Sequence, residues 1–168
     1  MMSTKLFNLK ASQARWIILI SYLIALALDT TALLGHSSPI IPPLTLFVLL
    51  YWCANFLDRT HLFSAFILGL LADTLYQTTL GSHALLFSII TFLMLRHRLR
   101  FKTYPVWQQA FFISLYMLVY QLLNYLFFNP VLNSNDFVQY WSMPAISILL
   151  WPMLAYSLKK VSHTAVSD

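Results

Sequence analysis

The stretch Arg96-His97-Arg98-Leu99-Arg100-Phe101-Lys102 decides how this chain is read. It holds four of the chain's ten lysines and arginines. Around it the sequence divides into apolar blocks at 16–34, 40–57, 62–76, 83–95, 106–128 and 141–158. Let each block cross a membrane, with the N-terminus in the cytoplasm. Lys5, Lys10 and Arg15 then lie inside. So do Arg59 after the second block, the Arg96–Lys102 run after the fourth, and Lys159 and Lys160 after the sixth. No lysine or arginine is left outside. Short loops with this bias set orientation. One crossing more or fewer would put the Arg96–Lys102 run on the opposite side from Arg59. The expectation is an all-α polytopic membrane protein of six transmembrane helices with both termini in the cytoplasm. Residues 1–15 form a cytoplasmic tail, 16–158 the membrane domain and 159–168 a second cytoplasmic tail.

Composition supports this. The chain is 60% hydrophobic and 9% charged, and it has no glutamate. A soluble domain could not cover its surface with so few charges. The net charge of +5 is accounted for by topology, with the acidic inner leaflet as counter-surface and no nucleic-acid partner. Cys53, the only cysteine, reads as a small apolar core residue rather than a reactive thiol. The first apolar run is longer than a signal-peptide core and is expected to be retained.

Along the chain, Pro39, Pro42 and Pro43 crowd the start of the second span, so its regular helix begins near Leu44. A short, proline-interrupted span marks either a functional cavity or a helix that simply opens on prolines. Gln77 to Ser82 form a tight turn with Gly81 available for a positive φ. Pro105 starts the fifth span, Asn129-Pro130 ends it, and Pro152 should kink the sixth. The residues from Asn129 to Tyr140 read as the longest outer loop. No internal repeat is evident.

Asp73 is the residue to explain. An unpaired carboxylate inside hydrocarbon costs about 2.5–3.5 kcal/mol. Asp73 also falls near the C-terminal end of its own helix, where the dipole disfavours an anion. It either fixes a helix packing, faces a partner or cavity, or reaches interfacial water. Gly69, one turn earlier on the same face, lets another backbone approach closely. Asp29, Thr30, Thr31, Thr74, Gln77, His83, Gln121 and Asn124 add polar groups to the outer half. Gln121 and Asn124, three apart, share one face of span five. These residues make either an outward-facing polar site or ordinary interhelical hydrogen bonds. The basic run, with Trp107 and Gln108 after it, reads as a cytoplasmic loop, a topological anchor or a dock for lipid headgroups and cytoplasmic proteins.

Enzyme signatures are missing. His36, His61, His83, His97 and His163 have no metal-type spacing, and no phosphate loop or nucleophile elbow appears. No catalytic, cofactor or metal site is expected.

The order of several pieces resembles the rod shape-determining MreD family. They are Leu50-Tyr51-Trp52, Gly69-x-x-x-Asp73, Leu80-Gly81, Trp107-Gln108-Gln109-Ala110 after the basic run, and Leu150-Trp151-Pro152. The resemblance spans residues 15–160 and departs from the family pattern around Tyr76–Thr79, where smaller turn residues are usual. It implies a bacterial inner-membrane component of the cell-elongation (lateral peptidoglycan synthesis) machinery that scaffolds or regulates without catalysis. It implies binding to the single-span MreC, and action with RodA, a penicillin-binding transpeptidase and MreB. It also implies a fold similar to the substrate-binding subunits of energy-coupling-factor transporters. Gly69, Asp73, Gly81, Gln121 and Asn124 would form the intramembrane structural or partner face, and Arg96, Arg98, Arg100, Lys102, Trp107 and Gln108 the cytoplasmic one. The competing expectation is a small-molecule-binding subunit of a vitamin or solute transporter. Such a subunit needs a small-residue stripe in span one, for which only Ser21-x-x-x-Ala25 qualifies.

Overall fold

The computed structural model describes residues 11–34, 42–55, 61–128 and 134–167. Among them the chain forms six helices: α1 (Ala11–Leu34), α2 (Leu44–Asn55), α3 (His61–Tyr76), α4 (Ser82–Thr103), α5 (Val106–Phe128) and α6 (Ser134–Ser167). The segment from Gly35 to Pro39, with Lys5, Lys10 and Arg59, lies outside the described residues.

α2 is the centre. Every residue from Thr45 to Ala54 is buried. α1, α3, α4 and α6 all pack against it. Its start follows from its prolines. The Pro43 carbonyl accepts hydrogen bonds from the backbone N–H of Leu46 at 3.1 Å and Phe47 at 3.3 Å, and the helix proper opens at Leu44. Phe47 and Phe101 both pack on the ring of Trp151 from α6, with centroids 6.1 and 5.8 Å apart. Around α2 the most intimate pairs are α3 with α4 and α5 with α6.

The exterior is apolar. Ile24, Phe63, Phe111, Leu126 and Leu149 are all exposed. Val106–Phe128 and Tyr140–Lys160 are long and apolar enough to cross a membrane, and Trp16–Thr31, Leu44–Asn55 and His61–Tyr76 are shorter apolar helices. A packed interior beneath a greasy surface fits a helical membrane protein.

Helix boundaries differ from expectation in three places. α1 opens at Ala11 rather than 16, and α6 runs from Ser134 to Ser167 rather than from 141 to 158. α4 continues through the basic run to Thr103, so Arg96, Arg98, Arg100 and Lys102 are helical and not a loop. Trp107 and Gln108 belong to the first turn of α5. Charge ended the apolar pattern in these places, but charge does not end a helix. The break comes only at Tyr104, which is extended before Pro105, as a residue preceding proline prefers.

Candidate functional site

Asp73 sits in the last turn of α3, but it acts on α4. Gly81 is the N-cap of α4, at φ 97°, and has no side chain with which to cap. Asp73 supplies the missing acceptor. Its Oδ2 accepts the Gly81 N–H at 2.8 Å and the Ala84 N–H at 3.4 Å. Its Oδ1 accepts the His83 N–H at 2.8 Å and the hydroxyls of Ser82 at 2.7 Å and Thr78 at 3.0 Å. The His83 ring Nδ1 lies 2.8 Å from the same oxygen. An anion belongs at a helix N-terminus, where unpaired N–H groups and the dipole both favour it. The α4 terminus therefore outweighs the unfavourable end of α3.

Gly69 makes this possible. A Cβ built there would lie 2.3 Å from the Ala84 Cα and 2.5 Å from its nitrogen. Only glycine lets α4 come this close. The Gly69-x-x-x-Asp73 face is thus occupied by α4 of the same chain, which leaves no room on it for another protein. α3 closes just beyond, where the Thr78 N–H donates to the Asp73 carbonyl at 3.1 Å and Gln77 adopts φ 53°. This is a Schellman-type stop with glutamine in the position usually held by glycine.

The same device appears one hairpin earlier. Asp29, near the end of α1, accepts the Leu44 N–H at 2.8 Å, the Thr45 N–H at 2.8 Å and the Thr45 hydroxyl at 2.6 Å. Pro43, ahead of α2, has no side-chain acceptor, just as Gly81 has none. α1 also packs against α3, which joins the two hairpins. In each case a threonine follows the acid and returns its hydroxyl to its own helix: Thr30 to the Ala27 carbonyl at 2.7 Å, Thr74 to the Leu71 carbonyl at 2.8 Å. The repeated Asp-Thr pair near the end of an apolar run was the signal for this duplication, and Asp29 was missing from the expected face.

Gln121 and Asn124 meet on Tyr140 of α6. Pro144 has no N–H to give to the carbonyl four residues back, which is that of Tyr140. The buried Gln121 amide donates to that carbonyl instead. The Tyr140 hydroxyl donates to the Gln121 carbonyl at 3.0 Å, and the Asn124 amide lies 3.3 Å from the hydroxyl. A proline-exposed backbone group in a membrane helix needs a neighbour's donor, and α5 provides it.

The basic residues split by face. Arg98 is half buried. Arg96 and Arg100 are exposed, as is Trp107. Gln109, beside the expected Trp107 and Gln108, does the joining. Its amide donates to the Tyr104 carbonyl at 3.0 Å and the Phe101 carbonyl at 3.4 Å, and its oxygen accepts from Trp151 Nε1 at 3.4 Å. Ser21 likewise accepts the Trp52 indole N–H at 2.8 Å, so the small stripe of α1 is used within the chain.

A family model described as "rod shape-determining protein MreD" matches residues 10–161. The chain belongs to the MreD family. The rod shape-determining protein MreD of Haemophilus influenzae is 26% identical over 125 residues, covering 71% of this chain and 74% of that protein. No solved structure matches. The MreD-like pieces of the sequence are interhelix joints in the fold: Trp52 to Ser21, Gly69 and Asp73 to the start of α4, and Gln109 to Trp151.

Proposed function

We propose that this chain is a non-enzymatic subunit of the bacterial cell-elongation complex in the inner membrane. It crosses six times with both termini cytoplasmic and helps maintain rod shape by holding MreC beside the synthases of lateral peptidoglycan growth, RodA and a penicillin-binding transpeptidase. MreB lies on its cytoplasmic side. Membership of the MreD family across nearly the whole chain carries this reading. The geometry supports a scaffold, because the two intramembrane carboxylates are spent on joining helices. The carboxylates of Asp29 and Asp73 are filled by backbone N–H groups and hydroxyls of α2 and α4. A solute carrier built like the energy-coupling-factor subunits would need such groups directed at its cargo.

The test is a depletion strain of a rod-shaped bacterium carrying a tagged copy. The wild-type chain should restore rods and recover the single-span MreC from membranes. Asp73→Ala should insert but recover less MreC and give rounded cells, because the α3–α4 hairpin that presents the partner surface loosens. Rods of normal width with no MreC association would sink the proposal. A tightly retained vitamin or solute in the purified protein would favour the carrier instead.

A further inference from the structure

Leu85, Phe92, Arg96, Leu99 and Arg100 fall within one stripe of α4 about 100° wide, at about 100° of turn per residue. All five are exposed, Leu99 at 75%. Arg98 lies on the opposite side of the helix and is half buried. Arg96 and Arg100 are separated by about 6 Å along the axis, so two guanidinium groups can meet on one anion. Among the described residues neither has a carboxylate partner.

Depth adds a second argument. α3 has 16 residues, which span about 24 Å. Arg96 lies about 21 Å along α4 from Ser82. A bilayer's hydrocarbon core is about 30 Å thick. α5, with 23 residues, reaches about 35 Å. The apolar length on the α3–α4 side is therefore shorter than that of α5. A short apolar side thins the bilayer locally and makes flanking cations snorkel, and both effects bring lipid phosphate to Arg96 and Arg100.

We propose that Arg96 and Arg100 clamp the phosphate of one anionic phospholipid of the inner leaflet, with its acyl chain along Phe92 and Leu85. The guanidinium fork suits a phosphate better than an ammonium would. The clamp rests on α4 crossing the membrane with its basic end in the cytoplasm.

The test uses the full-length protein in neutral detergent, titrated with phosphatidylglycerol or phosphatidylcholine and read by native mass spectrometry. Wild type should retain phosphatidylglycerol preferentially. The Arg96→Gln/Arg100→Gln double variant should retain it about thirtyfold less, from the loss of two surface cations. Its helicity and thermal midpoint should stay unchanged, since both side chains stand outside the core. His97→Gln, off the stripe on the same helix, should retain lipid as wild type does. Equal retention by the double variant, equal retention of phosphatidylcholine by wild type, or an equal loss in His97→Gln would overturn the clamp. Labelling of a Thr103→Cys variant in intact cells reads the orientation separately. External labelling would sink the topology whatever the detergent titration shows.

Discussion

Gly69→Ala should cost far more than a methyl group usually does. The new Cβ would sit 2.3 Å from the Ala84 Cα, 2.5 Å from its nitrogen and 2.7 Å from the His83 carbonyl carbon. Carbon atoms pack comfortably at about 3.5–4.0 Å, so the start of α4 must retreat by more than about 1 Å. All three atoms are backbone, and no side chain can swing aside to absorb the shift. The retreat breaks the 3.4 Å contact between Asp73 and the Ala84 N–H and stretches those to Gly81 and His83, now 2.8 Å, beyond useful length. Overpacking costs about 1–3 kcal/mol. Charge-assisted hydrogen bonds contribute about 1.5–3 kcal/mol each in soluble proteins, but interhelical ones in membranes average nearer 0.6. The membrane value is the safer guide, which puts the total at about 3 kcal/mol. The assay is reversible unfolding in mixed micelles with increasing sodium dodecyl sulfate, on Gly69→Ala, Asp73→Ala and the double variant. Both single changes act on one contact, so the double should fall short of their sum by about 1 kcal/mol or more. The reasoning is refuted if Gly69→Ala unfolds within about 0.5 kcal/mol of wild type, or if the two costs simply add.

Gln121→Leu should cost about 1–3 kcal/mol, because it strands the buried Tyr140 carbonyl. Adding Pro144→Ala restores an N–H for that carbonyl, so the double variant should be more stable than Gln121→Leu alone. A double variant that is less stable would rule out the proposed exchange of donors. Gln77→Gly should raise stability by about 0.5–1 kcal/mol, because glutamine pays for its left-handed backbone at φ 53°. An unchanged or lowered midpoint in the same unfolding assay would count against that strain.

Much of the helix inventory was legible in the apolar blocks and their prolines. Leu44 as the start of α2 followed from Pro42 and Pro43, and the shared face of Gln121 and Asn124 from their spacing. What stayed hidden were contacts made across turns. In sequence Asp73 stands against its own helix dipole, because nothing in a local window shows that Gly81 lacks a cap and borrows one. Tyr140 was hidden for a related reason, since the carbonyl it exposes is set by Pro144 and filled from another helix. The Arg96–Lys102 run hides its helix because charge breaks an apolar pattern without breaking a helix.

The acids of α1 and α3 also constrain biosynthesis. With the six crossings proposed above, a nascent chain that has released only α1 into the bilayer holds Asp29 with its capping partners still in the ribosome. The same applies to Asp73 until Gly81 and His83 emerge. Chains stalled after α1 or α3 carry an uncompensated carboxylate in oil, and those stalled after α2 or α4 do not. The first four helices should therefore integrate two at a time, and membrane proteases should clear truncations after α1 or α3 first.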